Sequence, residues 1–199
     1  VVRGIFIGSF DPIHLGHVHL AVLAKEVGNL DEVLIVPAHV SPFKLDQPPV
    51  DGYHRLAMCR LAFEGWAPVS FSSVDIDRPS PTYTIDTVRE LKSPSSKAMR
   101  LILGSEVART LYQWKEAESL MTLSDPLVLE LREGPHPRPW PDDAISQELK
   151  RRMVRVPQFE VSSTEVRHRL RKGLWCGHLV PRNVLSYIQQ HQLYSSKEP

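Results

Sequence analysis

Short aliphatic and β-branched runs that stop at glycine or proline recur along this chain, and between them the apolar residues fall at helical spacing. GIFIG (4–8), EVLIVP (32–37) and RLILG (100–104) have this form, and PLVLEL (126–131) and FEVS (159–162) extend the series. Continuous apolar runs of this length suit strands buried on both faces. The intervening segments LGHVHLAVLAKEVG (15–28) and YHRLAMCRLAFEG (53–65) each end at a glycine, the residue that most often closes a helix. Strands alternating with helices require crossover connections. The pattern therefore predicts an α/β, Rossmann-like, doubly wound parallel sheet with helices on both faces. Ligands of such sheets sit beyond the carboxyl ends of the strands.

A chain of 199 residues buries a continuous core without needing a second domain, and it is read as one domain, 1–199, with a small helical part at its C-terminal end over about 163–194. Lys and Arg total 24 against 23 for Asp and Glu, so overall charge argues for neither a nucleic acid nor a membrane partner. Cys59 and Cys176 form no C-x-x-C pair and read as buried core residues in a reducing compartment. VVRGIFIGSF has no basic stretch before a long apolar run, and no run approaches the ~20 residues of a membrane span. A soluble, cytoplasmic protein is expected. HVSPFKLDQPP (39–49) reads as a long loop of the kind that often carries function, and EGPHPRPWPDD (133–143), with its four prolines, as an extended surface linker.

The first predicted strand runs into the first helix through GSFDPIHLGHVHL (8–20). A strand entering a helix through a tight turn directs backbone N–H groups and the positive end of the helix dipole into the crevice, which suits an anion. His14 precedes Gly16, whose missing side chain permits close approach of the backbone to a ligand. His17 falls in the first turn, so both rings are placed to donate to one phosphate, whereas His19 points elsewhere on the helix. Three histidines in one stretch also raise zinc, but no second Cys/His cluster completes such a site, and no metal ligand set is assigned.

GSFDPIHLGH resembles the HxGH signature of the nucleotidylyltransferase superfamily, with Gly8, Phe10, Pro12, His14, Gly16 and His17 in register. SPFK (41–44), HRLAM (54–58), PTYTIDTVREL (81–91), LGSE (103–106), Trp114, VSSTEVRHRL (161–170) and LVPRNVLSYIQQHQLY (179–194) extend the likeness over nearly the whole chain. Together they are similar to the bacterial nicotinate mononucleotide adenylyltransferases. The resemblance implies adenylyl transfer from ATP to nicotinate mononucleotide in NAD biosynthesis, with Mg²⁺ carried by ATP, no nucleic acid or membrane partner, and a possible homodimer.

Roles follow residue by residue. Ser163 or Thr164 is placed to cap the helix after the fifth run, with Arg167 in its first turn. By resemblance these three border the ATP phosphates together with Gly8, Ser9, Phe10 and His17. Lys44 is an exposed loop lysine by sequence alone, and its match to the family's loop position implies a phosphate contact. His14, His17, Lys44 and Arg167 are thus the catalytic candidates. Thr82 and Thr84 are possible caps of a helix through Val88 and Leu91, and the likeness implies that Tyr83 and Thr84 read the nicotinate carboxylate. Trp114 sits on a helical pattern, where a core indole is the default, but its family counterpart stacks on the pyridine ring. Gly104 and Glu106 match a ribose-side segment.

Three residues depart from the family pattern. Ile7 replaces a frequent second glycine, which predicts a tighter or displaced first turn. Phe43 replaces a histidine, and Glu106 is one methylene longer than the usual aspartate. These departures keep two other readings open: a different HxGH nucleotidylyltransferase, and a weakened nucleotide sensor or RNA-contacting module.

Overall fold

The computed structural model describes residues 1–40, 48–92, 98–130, 139–157 and 159–195. Six strands form one wholly parallel sheet: β1 Val2–Gly8, β2 Glu32–Pro37, β3 Val69–Phe71, β4 Ala98–Gly104, β5 Leu127–Glu130 and β6 Met153–Arg155. Their order is β3-β2-β1-β4-β5-β6. Chain direction across the sheet reverses between β1 and β4, and this switch point opens a crevice beyond their carboxyl ends.

Side chains alternate along the central strands and feed two cores. Phe6, Ile35 and Ile102 pack on one face with α1 (Leu15–Val27), α2 (Gly52–Ala62), α7 (Ser163–Arg171) and α8 (Arg182–Gln190). Ile5, Leu34, Leu101 and Leu103 pack on the other with α3 (Thr84–Leu91), α5 (Ala117–Ser124) and α6 (Ala144–Arg151). The doubly wound arrangement expected from the sequence is present.

Several local expectations differ from the structure. β3 and β6 were not legible as runs, and FEVS (159–162) pairs with no strand. The helix expected over 53–65 spans Gly52–Ala62, because Asp51 caps it by accepting from Tyr53 N at 2.9 Å. Gly65 lies beyond it in a turn with φ of +82°. Ile7 remains within β1, in register with Val36, so the first turn begins only after Gly8. Both cysteines are free and buried. No helix among the described residues is long and apolar enough to cross a membrane. Most of the loop at 39–49 and most of the proline-rich run lie outside the described residues.

Candidate functional site

A cleft of about 1350 Å³ opens where Gly8 ends β1 and Gly104 ends β4. On the β1 side the chain passes through Phe10, whose φ of +47° is uncommon for a residue with a side chain. Its buried ring stands edge-on to Phe6 at 5.2 Å and to His17 at 5.0 Å. Those contacts hold the strained turn in place.

His14 caps α1 and stacks on His17 with ring centroids 3.6 Å apart. Burial lowers the His14 pKa from 6.5 to about 4, so its ring is neutral at physiological pH. Its Nδ1 has no partner among the described residues. The backbone N–H of His14 donates to His17 Nδ1 at 3.3 Å, which makes Nε2 the protonated, donating nitrogen of His17. Gly16 serves a packing need that the sequence reading missed. A Cβ there would lie 2.6 Å from Val161 Cγ1 and 3.1 Å from His14 Nδ1, so the glycine admits the crossing segment before α7.

That segment brings α7 over the turn. Ser162, rather than Ser163 or Thr164, caps α7, accepting from Glu165 N at 3.2 Å. Ser163 Oγ instead donates to Pro12 O at 2.9 Å. Arg167 lies in the second turn of α7, not the first, where its side chain reaches back to the loop. There Nη1 donates to Asp11 O at 2.6 Å and Nη2 to Thr164 Oγ1 at 3.4 Å. The Asp11 carboxylate stands 3.6 Å from Arg167 and accepts from Val50 N and from Tyr194 Oη at 2.7 Å.

The opposite wall is the N-terminus of α3. Tyr83 is its N-cap and no side chain caps it, because Thr82 Oγ1 donates to buried Asp75 at 2.7 Å instead. Trp114 is half-buried, and it follows a short 3-10 turn over Leu111–Gln113 instead of lying on a regular helix. Its Nε1 donates to Thr110 Oγ1 at 3.3 Å, which fixes the ring beside the cleft. Lys115 lies 4.7 Å over the Tyr83 ring and 3.0 Å from Asp86 Oδ2. Glu106 is exposed in the first turn of α4 (Ser105–Ala108), while Ser105 Oγ donates to Glu130 at 2.7 Å below it.

The model of the cytidylyltransferase-like family matches residues 5–169. Probable nicotinate-nucleotide adenylyltransferases of Tropheryma whipplei and Herpetosiphon aurantiacus are 38% and 39% identical, spanning 95% and 96% of this chain and 97% of each relative. The chain belongs to the cytidylyltransferase-like family, among the nicotinate-nucleotide adenylyltransferases. The fold of Plasmodium falciparum nicotinic acid mononucleotide adenylyltransferase, in a structure complexed with NaAD, is similar to this chain at a TM-score of 0.74 and 19% identity, over 97% of both chains.

For a member of this family, the structure brings the expected positions into one cleft. Gly8, Ser9, Phe10, His14, His17, Ser163, Thr164 and Arg167 line one half, and Tyr83, Thr84, Gly104, Glu106 and Trp114 the other. Lys44 and Phe43 lie outside the described residues. His19 faces away and bonds Pro157 O at 3.0 Å. The sequence reading held Asp11, Tyr194 and the nearly inaccessible Arg55 (1% exposed) within its motifs but gave them no role, and it did not single out Asp75. A buried charge needs partners from distant segments, and only an arginine inside an otherwise apolar helix pattern could have signalled it.

Proposed function

We propose that the chain joins ATP to nicotinate mononucleotide, giving deamido-NAD and pyrophosphate. A 5′-phosphate oxygen of the mononucleotide attacks the α-phosphorus of Mg-ATP in line. As that P–O bond forms, the bond to the β-phosphate oxygen breaks and pyrophosphate departs. The observation that carries this reading is the meeting, at the sheet's switch point, of a histidine- and arginine-lined half with a half made of an uncapped helix terminus and an indole.

His17 Nε2 donates to the phosphate whose charge grows, and Arg167 offers a planar fork to the leaving pyrophosphate. His14 acts as an uncharged partner, and Lys44, which lies outside the described residues, supplies a further cation to the phosphates. Holding both substrates in line accounts for much of the rate, since no covalent intermediate is required. Mg²⁺ belongs to the substrate, held by phosphate oxygens and water. Trp114 stacks on the pyridine ring, the N-terminus of α3 receives its carboxylate, and Glu106 accepts from a ribose hydroxyl. A homodimer and a cytoplasmic location are part of the same proposal.

The test is pyrophosphate release from ATP and nicotinate mononucleotide, with deamido-NAD identified chromatographically. Release that requires both substrates supports the proposal. Nucleotide binding without turnover would favour a sensor.

A further inference from the structure

Arg55 projects from α2 and is 1% exposed, so its guanidinium is removed from solvent yet does not face the cleft. Four of its N–H groups donate to main-chain carbonyls. Nε bonds Val50 O at 2.7 Å, Nη1 bonds Ser9 O at 2.7 Å and also Ala38 O, and Nη2 bonds His39 O at 2.9 Å. The guanidinium thus ties the turn after β1 to the segment after β2. Burying such a charge is costly, and an apolar side chain of similar volume often serves stability as well or better. What the planar fork adds is a fixed spacing between the carbonyls it bridges.

The same segment is gripped from its other side. His39 N donates to Asp75 Oδ2 at 3.0 Å, and Asp75, 2% exposed, also accepts from Thr82 Oγ1, Thr87 Oγ1 and Arg78 Nη1. Thr82 N donates to Val40 O at 3.2 Å. Thr82 immediately precedes the N-cap of α3 and Thr87 lies within that helix. An unbroken polar path therefore runs from Ser9, in the phosphate half, through Arg55, His39 and Asp75 to Thr82 and Thr87, behind the pyridine half. With all four donors engaged at its two oxygens, Asp75 acts on the site through these neighbours although it lines the cleft.

We infer that Arg55 and Asp75 are positioning residues that set the distance between the two substrate half-sites. This inference rests on the adenylyl-transfer reading for its consequence. In-line attack demands that both halves hold their ligands in register, and a shift of about 1 Å costs about a hundredfold in rate.

The test compares the full-length protein with Arg55→Lys, Asp75→Asn and the double variant, all verified as folded by circular dichroism. Calorimetry measures binding of ATP alone, nicotinate mononucleotide alone and deamido-NAD, which spans both halves; steady-state assays give kcat. The expected result is a fall in kcat of about ten- to a hundredfold in each single variant and a loss of about tenfold or more in deamido-NAD affinity. Each separate mononucleotide should keep its affinity within about threefold, since its own half-site is intact. The double variant should be little worse than the poorer single one, because both act on one path.

Unchanged dinucleotide affinity, or equal weakening of all three ligands, overturns the inference. If Arg55→Lys does not fold, Asp75→Asn carries the same comparison. An unmutated protein that binds deamido-NAD without turnover sinks the adenylyl-transfer reading, while the binding ratios still decide the spacing role.

Discussion

Burial takes the His14 pKa from 6.5 to about 4, so the folded protein carries an uncharged imidazole where the unfolded chain carries a titrating one. Between those values the unfolded state binds more protons, so stability is full above about pH 6.5 and declines as pH falls toward 4. From pH 7 to pH 5 the loss from this one group is about 2 kcal/mol, by the ~1.4 kcal/mol carried by each unit of pKa difference. Urea titrations at the two pH values should therefore show the unmutated protein losing about 2 kcal/mol more than His14→Gln. Equal losses would place the acid sensitivity elsewhere. His17 Nδ1 is committed to accepting from the His14 backbone, so Nε2 is the nitrogen of His17 that donates. His17→Ala should lower kcat by about a hundredfold, the scale for losing one preorganised donor, with the fold retained by circular dichroism. Near-normal turnover would remove His17 from the mechanism.

Helix termini supply the site with its directional donors, and two of them make separable predictions. Ser162 caps α7 whereas Ser163 holds Pro12 O, so adjacent serines have different duties. Ser162→Ala should cost about 1 kcal/mol of stability by chemical denaturation, the usual worth of an N-cap, and leave the KM for ATP near its original value. Across the cleft, the N-terminus of α3 has no side-chain cap, and its main-chain N–H groups can donate only to an acceptor-bearing guest. A carboxylate offers acceptors throughout, whereas an amide turns an NH₂ toward those donors. Leaving one such group unsatisfied costs about 1–3 kcal/mol, so nicotinate mononucleotide should be preferred over nicotinamide mononucleotide by about tenfold or more in kcat/KM. Trp114→Ala should weaken both substrates by similar factors, since a ring face stacks on either pyridine. Equal use of the two mononucleotides would sink α3 as the carboxylate reader.

At the scale of the whole molecule, legibility followed burial. The runs within β1, β2, β4 and β5 could be read because a strand covered on both faces must be apolar throughout. β3 and β6 have three residues each at the sheet's edges, too few for a pattern, and FEVS has strand-like composition but spends Val161 on filling the space beside Gly16. Likewise, the cleft-lining motifs were visible in sequence, while the roles of Arg55, Asp75 and Tyr194 were not, because they lie in partners far along the chain. Tyr194 shows the consequence. The chain beyond α8 returns to place its hydroxyl 2.7 Å from Asp11 Oδ1, and burial pushes the phenol's pKa up, so it remains a donor across the physiological range. Asp11 in turn lies beside Arg167, and Leu179 O accepts from Leu15 N at 2.8 Å, so the C-terminal segment braces both the turn after β1 and the start of α1. Tyr194→Phe keeps the ring and removes only the donor, leaving one oxygen of a buried carboxylate with a single bond to Val50 N. The expected cost is about 1–3 kcal/mol of stability. Because Asp11 then leans more heavily on Arg167, the KM for ATP should rise severalfold while that for nicotinate mononucleotide holds. A loss of stability with both KM values unchanged would make Tyr194 a brace for the fold alone.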